Sequence, residues 1–201
     1  MVEAVKTECC IAGGGPAGMM LGYLLARAGV DVVVLEKHAD FLRDFRGDTI
    51  HPSTMQVMHE LGLLEAFLKL PHQPVRQIFA QFGNERLMMA DFSRLSVKAP
   101  FIAMMPQWDF LDFIADQGRA FSNFCLLMET SAKDLRRNGG LITGVVAEGP
   151  GGAVEIDAPL TVAADGRGSI LRQAARLEIE DLGAPMDVLW FRLSRHADDT
   201  D

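Results

Sequence analysis

Between Glu8 and Glu36 the chain reads ECCIAGGGPAGMMLGYLLARAGVDVVVLE, and this stretch decides the fold. Glu8–Ala12 is a short apolar run of buried-strand character, ended by the turn Gly13-Gly14-Gly15-Pro16. An Ala, Leu and Met-rich segment from about Ala17 to Ala28 predicts a helix, and Gly29 closes it. Asp31–Glu36 (DVVVLE) is a β-branched run of the kind that fills a parallel sheet buried on both faces. Together they predict a right-handed βαβ unit.

Gly13-x-Gly15-x-x-Gly18 stands where a strand gives way to a helix. The first glycine permits the tight turn. The second carries no Cβ, so the backbone is free to approach a pyrophosphate. The third lets helix and strand pack closely, while the helix N-terminus offers N–H groups to an anion. Small residues recur at Gly22 and Gly29. Glu36 ends the second strand 18 positions after Gly18, where a carboxylate accepts both ribose hydroxyls of an adenosine and repels a 2′-phosphate. The pattern predicts a bound dinucleotide and disfavours NADP at this site. By itself it does not choose between FAD and NAD.

Working outward, Ser53 with Gln56 reads as a capping box for a helix ending near Leu61-Gly62. From Val75 to Met105, short apolar segments (QIFAQF, RLMMADF, PFIAMM) predict antiparallel strands rather than further βαβ units. Trp108–Phe121 reads as a helix, and Phe124–Ala164 as a run of strands forming a small β-meander. MDVLWFRL at 186–193 reads as one more strand.

The 201 residues are 49% hydrophobic and 23% charged, as in a globular protein, and the formal charge of −8 argues against nucleic acid as a partner. Three cysteines without metal spacing make no disulfide framework and fit a reducing, cytoplasmic setting. No signal peptide and no transmembrane span is read. The five histidines (38, 51, 59, 72, 196) form no catalytic or metal-binding order. Met88, Met89, Met104 and Met105 read as core filler more readily than as a pocket lining.

Three further segments bear on the cofactor. Arg46-Gly47 lies sixteen residues before Gly62 in RGDTIHPSTMQVMHELGL, Gln107 precedes a helix in MPQWDFLDFIA, and Asp165-Gly166-Arg167-Gly168-Ser169-Ile170-Leu171-Arg172 follows the strand LTVAAD. With the glycine turn, and in this order, they resemble the FAD-dependent aromatic hydroxylases related to p-hydroxybenzoate hydroxylase. The resemblance covers essentially the whole chain, most loosely over 75–100, and it implies that Arg46, Gln107, Asp165 and Gly166 contact FAD. Arg167 and Arg172 bring positive charge near phosphates. The candidate cofactor-binding set is therefore Gly13, Gly15, Pro16, Ala17, Gly18, Glu36, Lys37, Arg46, Gln107, Asp165 and Gly166. No catalytic side chain and no metal ligand is assigned, since a flavin carries the hard chemistry itself.

The expected fold class is α/β: a Rossmann-like parallel FAD-binding sheet, a β-meander and the start of an antiparallel substrate-binding sheet. The expected division is 1–74 for the first part of the FAD-binding domain, 75–105 for inserted substrate-domain strands, 106–174 for the FAD-binding domain continued, and 175–201 for the start of the substrate sheet. The implied activity is hydroxylation of an aromatic or similar small organic molecule by a monooxygenase using FAD, NADH or NADPH, and O2. Alternatives are a related flavin dehydrogenase, reductase or halogenase, an NAD-binding domain, or an FAD-binding fragment without autonomous activity. Two departures from the family pattern stand out. Gly168 occupies a position where a bulkier residue is common, and the family's later Gly-Asp segment followed by Ala-Ala-His is missing, so the chain reads as a truncated front half. A homodimer is left open.

Overall fold

The computed structural model describes residues 3–42, 48–183 and 194. The chain divides into two compact units, Met1–Leu42 with Phe110–Glu180 and Arg43–Asp109 with Asp181–Asp201. In chain order the elements are β1 (Glu3–Lys6), β2 (Cys9–Ala12), α1 (Pro16–Arg27) and β3 (Val32–Leu35). Next come β4 (Thr49–Ile50), α2 (Pro52–Glu60), α3 (Leu64–Phe67), β5 (Gln73–Val75), β6 (Gln77–Phe82), β7 (Glu85–Asp91) and β8 (Ile102–Met104). The chain continues with α4 (Gln107–Arg119), β9 (Phe124–Leu127), β10 (Ser131–Asn138), β11 (Leu141–Gly149), β12 (Gly152–Asp157), β13 (Leu160–Ala163) and α5 (Ile170–Ala174).

The first unit carries a parallel sheet in the order β13-β2-β3-β9. Cys9–Ala12 lies in register between Leu160–Ala163 and Val32–Leu35, and Val32–Leu35 pairs onward with Phe124–Leu127. All eight residues of β2 and β3 are buried, as a strand covered on both faces requires. The α1 crossover begins with Pro16, whose fixed φ suits the first helical position. It ends in a Schellman turn: Gly29 N–H donates to Ala26 O (3.0 Å), Val30 N–H donates to Leu25 O (3.0 Å), and Gly29 takes φ +86°.

A second sheet, β1-β12-β11-β10, contains the antiparallel meander β10–β12, with β1 paired parallel to β12. Gly139 and Gly140, both at positive φ, close the two-residue loop between β10 and β11. Alternation along the strands sorts the core. Cys10, Ala12, Val33 and Leu35 face Ala132, Leu135, Val145, Ala147, Val154, Ile156 and Leu171 in one apolar cluster. Each fully buried Val or Ile there contributes about 1.5–3 kcal/mol. Burial pushes the Cys10 thiol up to about 12, with the neighbouring Cys9 adding to the rise, so Cys10 serves as a packing residue.

Helices cover the other face. A Cβ on Gly22 of α1 would lie 2.7 Å from Val34 and 3.1 Å from Phe124, and one on Gly118 of α4 would lie 2.8 Å from the same Phe124 ring. Two glycines on two helices thus make room for one aromatic wedge. Beside it, the Asn123 side-chain amide donates to Ala26 O (2.9 Å) and Val30 O (2.8 Å), clipping the C-terminal end of α1 to the start of β9. Asn123→Ala is expected to cost about 2 kcal/mol, a melting-point drop of about 4–8 °C. A thermal melt within one degree of wild type would refute the clip.

The sequence expectation for 124–164 is corrected in one respect. Only β10–β12 form the meander, whereas β9 and β13 flank β3 and β2 in the parallel sheet. FCLL and LTVA are short apolar runs, unlike the charged SAKDLRRN and the alternating GAVEID, but which strands they pair with depends on partners distant along the chain. A second correction concerns α2. His51 is its N-cap, no side chain caps it, and Pro52 opens it. Proline's preset φ starts the helix early, which places Ser53 inside the first turn, and Gln56 donates instead to Glu60 Oε1 (3.1 Å).

The second unit holds an antiparallel sheet, β4-β8-β5, and a separate β6–β7 hairpin, so the 75–105 region is antiparallel as expected. Met105 is core, but Met88 (52%) and Met89 (62%) are exposed on the hairpin, so filler does not describe them. The 186–193 strand expectation lies outside the described residues. Among the described residues no helix is long and apolar enough to cross a membrane.

Candidate dinucleotide site

The carboxyl ends of β2, β3 and β13 meet at the first glycine turn, where open parallel sheets bind ligands. Gly13 continues the sheet by donating to Leu35 O (2.8 Å), then turns with φ +108°. A Cβ there would sit 2.3 Å from Ala164 O and 2.9 Å from Asp165 N. Gly13 is thus the contact between the turn and the chain leaving β13. A Cβ on Gly18 would lie 1.9 Å from Gly13 O. That glycine lets α1 sit down on its own turn.

Gly15 differs from both. It is the N-cap of α1 at φ −72°, and nothing lies within 4 Å of where its Cβ would point. No side chain caps the helix and no acidic residue occupies its first turn. Pro16 and Ala17 are exposed there. This leaves an open, uncapped helix start above a side-chain-free position, suited to an anion. Gly15→Val is expected to leave the melting temperature within about 2 °C of wild type, since its Cβ meets no atom of the described residues within 4 Å. The same change fills the approach to the amides, so dinucleotide affinity is expected to fall at least about tenfold. Unchanged affinity in a titration would remove Gly15 from the site.

Glu36 is 8% exposed. Its Oε2 accepts from Gly14 N (3.1 Å) and its Oε1 from His38 N (3.0 Å). Its backbone is held as well, by Leu127 O (2.9 Å) and Thr130 N (2.8 Å). The carboxylate is therefore fixed at the edge of the turn before any ligand arrives. Gly14, which the fingerprint leaves unspecified, is part of this arrangement. A Cβ on it would lie 2.8 Å from Glu36 Cβ and 2.9 Å from Oε2. The sequence carried a signal for it only as a third consecutive glycine. Lys37 follows, exposed.

Asp165 leaves β13 beside Gly13. Its Oδ2 accepts from Ile170 N (2.9 Å) and Leu171 N (3.4 Å), whereas Oδ1 is buried with no hydrogen-bond partner among the described residues. Gly166 takes φ +86°, and its carbonyl accepts from Ser169 N (3.1 Å). Gly168 needs no positive φ, and a Cβ there would meet nothing. Arg167 is exposed, and Arg172 donates to Arg167 O (2.9 Å).

The structure thus brings Gly13, Gly15, Pro16, Ala17, Gly18, Glu36, Lys37, Asp165 and Gly166 together in the first unit. Gln107, half-buried, opens α4 and belongs to the second unit. Arg46 lies outside the described residues. No group of three or more metal-type ligands occurs among the described residues.

Residues 6–201 match the protein family described as "FAD binding domain". The 6-methylpretetramide 4-monooxygenase of Streptomyces rimosus is 30% identical over 200 residues, covering 97% of this chain and 47% of that protein. An uncharacterized aromatic compound monooxygenase of Bacillus subtilis is 29% identical over 174 residues, covering 87% and 34%. Among solved structures, the OxyS anhydrotetracycline hydroxylase from Streptomyces rimosus superposes with a TM-score of 0.72 at 26% identity, covering 85% of this chain and 34% of that one. The chain spans about half or less of the length of these relatives.

Proposed function

We propose, for a chain that belongs to the FAD binding domain family, that it holds FAD in an NAD(P)H-dependent monooxygenase that hydroxylates an aromatic small molecule. One observation carries the cofactor assignment. Asp165, whose backbone adjoins the Gly13 turn, carries a buried carboxylate oxygen without a hydrogen-bond partner among the described residues. A buried acceptor left unsatisfied is costly, and a ligand hydroxyl supplies the missing donor. The residues present therefore fit the group.

The amides at the start of α1, above Gly15, receive the pyrophosphate. Glu36 receives the adenosine ribose, with its carboxylate already oriented by Gly14 N and His38 N. Asp165 takes a hydroxyl further along the molecule. Lys37 completes the contact set proposed within the first unit. When bound, FAD supplies the redox chemistry, accepting reducing equivalents from NAD(P)H and activating O2. The protein's part is to bind, orient and shield it, and no acid or base among these residues is required for that. The named substrates of the relatives make a phenolic or polycyclic aromatic the substrate class to test.

Flavin fluorescence tests the first step. Purified chain titrated with FAD is expected to quench and to return a dissociation constant of micromolar order or tighter, about −8 kcal/mol. Colourless protein that leaves FAD fluorescence untouched would overturn the reading. Oxygen uptake dependent on NADH or NADPH, in the presence of anhydrotetracycline and with no halide added, tests the second step. A product carrying one added oxygen atom is expected. NAD(P)H oxidation that consumes no O2 would instead mark a dehydrogenase or reductase.

A further inference from the structure

We infer that Ser169 is a positioning residue for the flavin-facing carboxylate of Asp165; this rests on the assignment of Asp165 as a cofactor contact. The first N–H groups of any helix lack acceptors within the helix, and α5 (Ile170–Ala174) meets this need by dividing it between two side chains. Asp165 Oδ2 takes both Ile170 N (2.9 Å) and Leu171 N (3.4 Å). Ser169 Oγ takes Arg172 N (3.0 Å). One oxygen of Asp165 therefore serves two amides, and the other, Oδ1, stays buried and unengaged.

This division depends on Ser169, which is itself 5% exposed. Without its Oγ, the Arg172 N–H has no acceptor in a turn where both preceding amides already draw on Asp165. A carboxylate accepts at about four positions, so Asp165 is the group able to answer the third amide. Rotating to do so moves Oδ1 out of its place. Arg172 also donates to Arg167 O (2.9 Å), so a displaced Arg172 loosens the 166–168 turn as well. Ser169 does not touch the ligand; it keeps one acid oxygen available to it.

The test is a cycle of variants in the purified chain, read by FAD fluorescence titration, with the melting temperature of the flavin-free protein measured alongside. S169A is expected to weaken FAD binding about tenfold, the scale of one hydrogen bond to a charged group. S169T, which retains the Oγ, is expected to stay within about twofold of wild type. The double variant S169A/D165N is expected to bind no worse than D165N alone, because the two residues act through one carboxylate. A cap of purely structural importance would lower the melting temperature and leave the dissociation constant unchanged. That outcome, or full additivity of the two losses, overturns the inference.

One measurement needs no variant. FAD binding to the wild-type chain is expected to slow hydrogen exchange at the Ile170 and Leu171 amides, since fixing Oδ1 fixes the oxygen that caps them. Unchanged exchange in flavin-saturated protein overturns the inference while leaving the FAD reading intact. Wild-type chain that binds no FAD overturns both.

Discussion

Gly18→Val is expected to unfold the first unit at ordinary temperatures or lower its melting point by about 10–15 °C, corresponding to about 4–5 kcal/mol. The obstacle is backbone. The added Cβ falls 1.9 Å from Gly13 O and 3.1 Å from the Gly13 carbonyl carbon, with Ile11 Cγ2 at 3.3 Å. None of these atoms lies at the end of a flexible side chain, so α1 has to lift off the sheet. Lifting it opens the contact among Gly22, Val34 and Phe124, and forfeits packing that the wedge between α1 and α4 requires. Circular dichroism melts of wild type and variant decide the matter. A Gly18→Val protein melting within a few degrees of wild type would show that the close approach is not needed. Gly15→Val is the matching control, because a Cβ three residues earlier meets no atom of the described residues within 4 Å. The two variants separate the glycine that builds the fold from the glycine that leaves room for a ligand.

Glu36→Ala is expected to reduce FAD affinity about a hundredfold, equivalent to about 2.7 kcal/mol for two hydroxyl contacts to a charged acceptor. The same change strands Gly14 N and His38 N, which now donate to its two oxygens at 3.1 and 3.0 Å. A stability loss of about 2 kcal/mol is therefore expected in the flavin-free protein. Glu36→Gln separates the two effects. Its single amide oxygen satisfies only one of the two backbone donors, yet the side-chain shape is kept, so its losses should fall between those of Ala and wild type. Wild-type affinity in Glu36→Ala would remove Glu36 from the ribose contact, whatever the melting temperature did.

The family match supports FAD as the cofactor, and the relatives named as monooxygenases support the proposed chemistry. Much of the proposed site was legible because its requirements are local. A turn that needs a positive φ needs glycine, as at Gly13. A helix closed by Gly29 declares its C-terminal end. A strand buried on both faces reads VVVL without alternation.

The features that stayed hidden depend on atoms distant along the chain. Phe124 reads as one more apolar residue until Gly22 and Gly118 are found on either side of it. Gly14 reads as a filler position until Glu36 is brought against it by the βαβ crossover. Ser53 and Gln56 make a capping box by spacing alone, but Pro52 opens the helix before it and the box is not used.

The glycine turn and its acidic partner, opening this chain at Gly13–Gly18 and Glu36, were thus determined by sequence, because φ preference and strand and helix periods act over a few residues. Which strands lie beside them was decided by tertiary structure. The short apolar runs of β9 (FCLL) and β13 (LTVA) do not name their neighbours, and only pairing with β3 and β2 puts them in the parallel sheet. The same packing brings Asp165 to the Gly13 turn with one oxygen committed to α5 and the other unpaired. Hydrogen-bond satisfaction is a property of the assembled surroundings, and no spacing of residues encodes which oxygen is left over.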